Sequence, residues 1–150
     1  MLIGHGRLIG YAETSSLCVV RGHRLLCSNR HRRGGCGRTS SVWLASVVPR
    51  RSVRATTIFA FLVAMAAGTS TARAWRLASA MTLRTGYRIR TRLALAGPAI
   101  RTALLSRAPP PFVESPSFDV QLLAHIRTAL GSSIDSFALY QLTFQRALFS

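Results

Sequence analysis

The sequence predicts a mostly α chain with long irregular regions, and three observations lead there. An apolar run at about 57–72 has the length of one hydrophobic helix. Residues 117–149 combine apolar stripes at helical spacing with capping residues, which predicts a C-terminal helical hairpin. Residues 1–49 show no sustained period, because Gly, Arg, Ser and His interrupt each apolar pair, and much of this part is expected to be disordered. The chain divides accordingly into a basic irregular region at 1–49, a hydrophobic segment at 50–75, an Arg-rich region at 76–107, a Pro-rich linker at 108–116 and the hairpin at 117–149.

Charge sets the first region apart. The 150 residues hold 20 Arg, no Lys and 4 acids, for a net charge of +16. Eighteen of the Arg and a single acid, Glu13, lie in residues 1–108, whereas residues 109–150 are nearly neutral. So uneven a charge opposes compaction unless a polyanion neutralises it, which points to nucleic acid or an anionic membrane surface as partner. The absence of Lys beside 20 Arg serves no folding requirement. It follows from GC-rich codons, as in a GC-biased genome or in the translation of an unselected GC-rich reading frame without a function.

The segment Arg50–Trp75 has the ordered parts of a secretory signal: Arg50, Arg51 and Arg54 as basic head, an apolar heart, and a small-residue tail ending in Ala72-Arg73-Ala74. The heart includes Ile58, Phe59, Phe61, Leu62, Val63 and Met65. Arg50-Arg51 with Val53 two places on also resembles a twin-arginine signal. Its internal position fits a translation start near Val47 or Val48. Read instead as a transmembrane helix, Ala55–Ala72 would span roughly 27 Å, barely enough for a thin bilayer. A third reading is a helix buried in a core.

In the Arg-rich region, Arg88, Arg90 and Arg92 alternate with Tyr87, Ile89, Thr91 and Leu93, which is strand periodicity with one basic face. Wound as a helix, these arginines scatter around the circumference. Four prolines between Ala108 and Ser117 then read as an extended linker. Beyond it, Phe118, Leu122, Ile126 and Leu130 form one stripe, with Ser117 at the cap position, Asp119 in the first turn, Arg127 in the last and Gly131 as the stop. Phe137, Tyr140, Phe144 and Leu148 make a second stripe. Such a hairpin needs a partner helix or self-association to cover its apolar faces.

Candidate chemistry is sparse. Cys18, His23, Cys27, His31 and Cys36 supply five ligand-type residues within nineteen, but no close pair such as C-x2-C, so they are weak metal candidates and no metal or cofactor is expected. Three cysteines, an odd number, also argue against a closed disulfide framework. The stretch RHRRGGCGR, with Arg30, Arg32, Arg33 and Arg38, resembles Arg/Gly-rich segments that bind RNA through phosphates. No aromatic residue lies between Ala12 and Val42 to act as a stacking platform. Without Lys there is no phosphate-loop or Schiff-base lysine, and no nucleophile motif or carboxylate pair is present, so no catalytic residues, small-molecule substrate or enzyme are expected. The resulting expectation is a small basic protein, membrane-associated or exported through 50–75. The alternative is a nucleic-acid-associated one that uses residues 21–54; on either reading Arg30, Arg32, Arg33, Arg38, Arg88, Arg90 and Arg92 are the expected contacts to a phosphate-bearing surface.

Overall fold

The structure is a computed structural model and describes residues 2–11, 13, 17–28 and 34–149. It is an α/β fold, not a mostly α chain with long irregular regions. Three strands, β1 (Leu2–Tyr11), β2 (Cys18–Cys27) and β3 (Thr39–Trp43), form an antiparallel sheet in the order β1-β2-β3. Five helices follow among the described residues: α1 (Ala55–Ala66), α2 (Thr71–Ala78), α3 (Leu83–Leu104), α4 (Phe118–Leu130) and α5 (Ser136–Phe144).

The expectation that much of 1–49 is disordered therefore fails for the described residues, and the reason is physical. The β1–β2 register shifts between Gly4 and Gly6 and again between Leu8 and Ile9. Each irregularity resets which face a side chain takes, so the two-residue alternation that marks a strand is broken in the sequence. The apolar and β-branched residues still pair across the strands, as in Ile3 with Leu26 and Ile9 with Val20.

The helices enclose the core. α1 is apolar on nearly every side, and a helix of that kind belongs in an interior. It packs against α2, α4 and α5, with Ile58, Phe59, Phe61, Leu62 and Met65 buried. The expected helix at 57–72 is instead two. α1 stops as Gly68, at φ 83°, donates its N–H to the Met65 carbonyl, and α2 starts at Thr71. At 12 residues α1 is roughly 18 Å long, well short of a bilayer core of about 30 Å. No helix among the described residues is long and apolar enough to cross a membrane, which overturns the transmembrane reading.

α3 corrects the strand reading of 87–93. Its buried stripe is Gly86, Ile89, Leu93, Gly97, Ile100 and Leu104, at steps of three and four. Two of the six are glycines, so the stripe has little hydrophobic contrast, while the arginines catch the eye. The glycines are required by close approach: a Cβ on Gly86 would stand 2.4 Å from Cγ of Trp75, and one on Gly97 2.0 Å from Cζ of Phe118. Trp75 is fully buried, lies edge-on to Phe61 with centroids 5.2 Å apart, and donates its indole N–H to the Met81 carbonyl at 3.1 Å. The helix runs on through Pro98, whose missing N–H breaks one turn, because Ile100 and Leu104 beyond it are anchored in the core.

In the region read as a hairpin, α4 and α5 are joined by 131–135, a longer link than expected, and α5 ends at Phe144. Gln145 takes a left-handed conformation (φ 50°), and the chain turns back to bury Leu148 and Phe149. The apolar faces of α4 and α5 are covered by the chain itself, chiefly by α1. Phe137, for example, meets Phe59 edge-on at 5.7 Å.

Candidate functional site

The segment 44–54 joins sheet to helices and is held from several directions. Gln141 of α5 donates to the carbonyls of Ala45 and Val47 at 2.6 and 3.0 Å, and its own carbonyl accepts the Leu148 N–H at 3.0 Å. Val47 bridges Arg54 across the turn. From β2, the Arg21 side chain, only 6% exposed, donates to the carbonyls of Tyr11, Ser52 and Arg51. Burial pushes the Arg21 pKa down, Glu13 opposes that shift and Arg54 adds to it. Glu13 in turn accepts hydrogen bonds from Thr57 at 2.7 Å and Ser79 at 3.4 Å, tying the β1–β2 connection to α1 and to the end of α2.

This bracing fixes a turn in which Arg50 sits at φ 59°, a left-handed conformation uncommon for a residue with a side chain. Arg50 and Arg51 form one wall of an open groove of about 1040 Å³. α3 forms the other, and its Arg88 and Arg92, one turn apart, reach in beside Thr85 and Thr91. Val53, Met81, Ile89 and Phe149 supply apolar lining. Among the described residues no carboxylate, His or Cys lines the groove. Burial, then Arg92, Arg50 and Arg88, push the Arg51 pKa down. Four guanidiniums around one cleft, with no carboxylate among the described lining residues, oppose folding and mark a place where an anion would be stabilised. With hydroxyls from Ser52 and Thr85 alongside, the chemistry available is charge-assisted hydrogen bonding to a phosphate-type anion.

In the sequence, Arg88 and Arg92 fall among the expected phosphate contacts while Arg50 and Arg51 do not. Arg50 and Arg51 stood in a basic signal head, whereas Arg88 and Arg92 lay on a strand face. The fold brings the pairs together. The available signal was the i, i+4 spacing of Arg88 and Arg92, in helical step with Ile89 and Leu93. Arg90 points elsewhere: it donates to Thr71 at 2.7 Å and lies 3.7 Å from the Asp119 carboxylate, bracing α3 against the start of α2 and α4. Arg54 is exposed at the N-cap of α1. Arg38 is exposed just ahead of β3 and does not line the groove, and Arg30, Arg32 and Arg33 lie outside the described residues. The apolar heart of the signal-like segment is core. Ile58, Phe59, Phe61, Leu62 and Met65 are buried, Val63 and Ala72 half-buried, and Ala74, the last residue of the signal-like tail, is fully buried within α2.

Of the metal candidates, Cys18 and Cys27 stand at opposite ends of β2, His23 lies between them opposite Arg7 and Val42, and His31 lies outside the described residues. Among the described residues no three His, Cys, Asp or Glu side chains come together as a metal site. The chain matches no protein-family model, no curated protein and no solved structure.

Proposed function

We propose that the chain is a nucleic-acid-associated protein that holds a single strand by its phosphates in the Arg50/Arg51/Arg88/Arg92 groove. The observation that supports this reading is the placement of arginines on two facing walls of a concave cleft. A strand can enter such a cleft and meet both walls, as positively charged grooves that track a backbone do. A bilayer is flat and reaches only the rims. Insertion through 50–75, the route to membrane association or export read from the sequence, is also opposed by the burial of that segment's apolar side chains in the core. The apolar lining is Val53, Met81, Ile89 and a Phe149 that is only 8% exposed, which leaves little aromatic face for stacking, so affinity comes from phosphates and is tolerant of sequence.

The test is fluorescence anisotropy of a labelled single-stranded RNA oligonucleotide against wild type, R88A/R92A, and R73A/R76A. The last pair removes equal charge from the exposed side of α2. Loss of affinity in the groove variant alone supports the reading. Equal loss in both, or binding to anionic phosphatidylglycerol vesicles that R88A/R92A weakens while RNA binding stays unchanged, overturns it.

A further inference from the structure

Away from the groove, the end of β2 carries a thiol pair. Cys27 is half-buried and Cys36 exposed. Just ahead of β3 the backbone pairs with the end of β2: the Cys27 N–H donates to the Arg38 carbonyl and the Gly37 N–H to the Cys27 carbonyl, both at 2.9 Å. Two residues thus oppose one, a bulge that Gly37 permits by taking φ 67°. The bulge places Cys36 directly against Cys27: the Cys36 N–H points at the Cys27 sulfur, 3.4 Å away. That contact would be accidental in a flexible loop, but the two ladder hydrogen bonds beside it fix the register.

We infer that Cys27 and Cys36 are a modification site, forming a reversible intramolecular disulfide by exchange with a small-molecule disulfide such as oxidised glutathione. The backbone hydrogen bond from Cys36, then that from its thiol, holds the Cys27 pKa below its ordinary value, so Cys27 is the attacking sulfur. Its thiolate displaces one glutathione thiolate, which takes up the proton that Cys27 released, leaving a mixed disulfide on Cys27. Cys36 loses its proton, attacks the Cys27 sulfur and expels the second glutathione as thiol. The protein dithiol is oxidised by two electrons, and one glutathione disulfide is reduced to two thiols. Cys18 begins β2, nine residues and roughly 30 Å from Cys27, and takes no part. The bond closes a ring over residues 28–35, which include Arg30, Arg32 and Arg33, independently of the groove and of what the groove binds.

The experiment incubates the full chain with excess oxidised glutathione, quenches it by acid and alkylation, and maps tryptic peptides by mass spectrometry. The expected product links LLCSNR (25–30) to GGCGR (34–38), with Cys18 alkylated. C36S stalls with glutathione on Cys27, and C18S forms the link as wild type does. Closing so short a ring raises the thermal midpoint by roughly 5–10 °C, reversed by dithiothreitol and absent in C36S. The link forms roughly tenfold or more slowly in the urea-unfolded chain, where nothing holds the thiols together. A disulfide that uses Cys18, a wild-type product stalled on Cys27, or equal rates in folded and unfolded chains would overturn the inference.

Discussion

The salt dependence of RNA binding tests the groove most directly, because it counts the phosphates engaged. A strand in the groove meets the guanidiniums of Arg50, Arg51, Arg88 and Arg92. Each phosphate neutralised on a single strand contributes about −0.7 to the slope of log K against log salt, so four contacts give a slope of about −2.8. Between 50 and 200 mM salt that is about a 50-fold loss of affinity. Removing Arg88 and Arg92 should halve the slope to about −1.4 and reduce the loss to about 7-fold. R73A/R76A should keep the wild-type slope, since neither residue lines the cleft. The assay is the anisotropy titration repeated across the salt range, with unlabelled oligonucleotide confirming reversibility. If all three proteins share one slope, or if the wild-type slope is several times steeper than four contacts allow, binding is spread over the whole cationic surface and the groove reasoning is refuted. The same double variant should also unfold at higher temperature than wild type in low salt. It relieves the repulsion that Arg92 and Arg88 exert on Arg51.

Three further outcomes follow from the packing. Gly86→Ala places a methyl against the indole of Trp75 and should destabilise the protein by about 1–3 kcal/mol, read as a lower urea midpoint with a changed tryptophan emission; an unchanged midpoint would contradict the α2–α3 packing. Gln141→Leu strips hydrogen bonds from the Val47 carbonyl and the Leu148 N–H, and should cost about 1–3 kcal/mol while loosening proteolytic protection of the 44–54 segment. Burial raises the pKa of Tyr140, with Arg146 opposing. The fold therefore favours the neutral phenol. Its contribution is complete below the ordinary value of 10.0 and is lost as pH rises beyond it, since the unfolded chain ionises first. Urea midpoints of wild type should fall above that pH more steeply than those of Y140F, and parallel curves would show that Tyr140 carries no such linkage.

What the sequence discloses about this fold depends on whether local pattern and tertiary role coincide. In α4 they largely do: Asp119, Arg127 and Gly131 stand where a helix needs them and the helix runs from Phe118 to Leu130, although Ser117 holds the N-cap position without a capping hydrogen bond from its hydroxyl. In β1 the two register shifts scramble the alternation, so a ten-residue strand reads as irregular. In α3 the buried stripe depends on Gly86 and Gly97, whose value lies in what they let approach, namely Trp75 and Phe118. No periodicity measure scores a missing side chain as a contact. The apolar run at 57–72 was conspicuous for a sound reason, since α1 is the most apolar helix, but the same composition suits a membrane, a signal or a core. Gly68 and the packing of three neighbouring helices decide among them. The groove was legible least of all, because its walls lie more than thirty residues apart in the chain.

The arrangement around the groove argues that its charges are placed and not merely tolerated. An Arg-rich surface can lower its own repulsion by letting long side chains spread into solvent. Here Arg50 and Arg51 belong to a turn that is clamped by Arg21 from β2, by Gln141 from α5 and by the bridge from Val47 to Arg54. Arg21 is itself a buried cation whose charge the surroundings disfavour, held in place by three backbone carbonyls. The fold thus accepts one desolvated arginine beneath the turn and a left-handed Arg50 within it, and it leaves four guanidiniums around one cleft without a carboxylate among the described lining residues. Each feature is unfavourable in the free protein. An anion in the groove offsets the repulsion, and a braced turn presents its arginines without ordering them on binding, which is how preorganisation gains affinity.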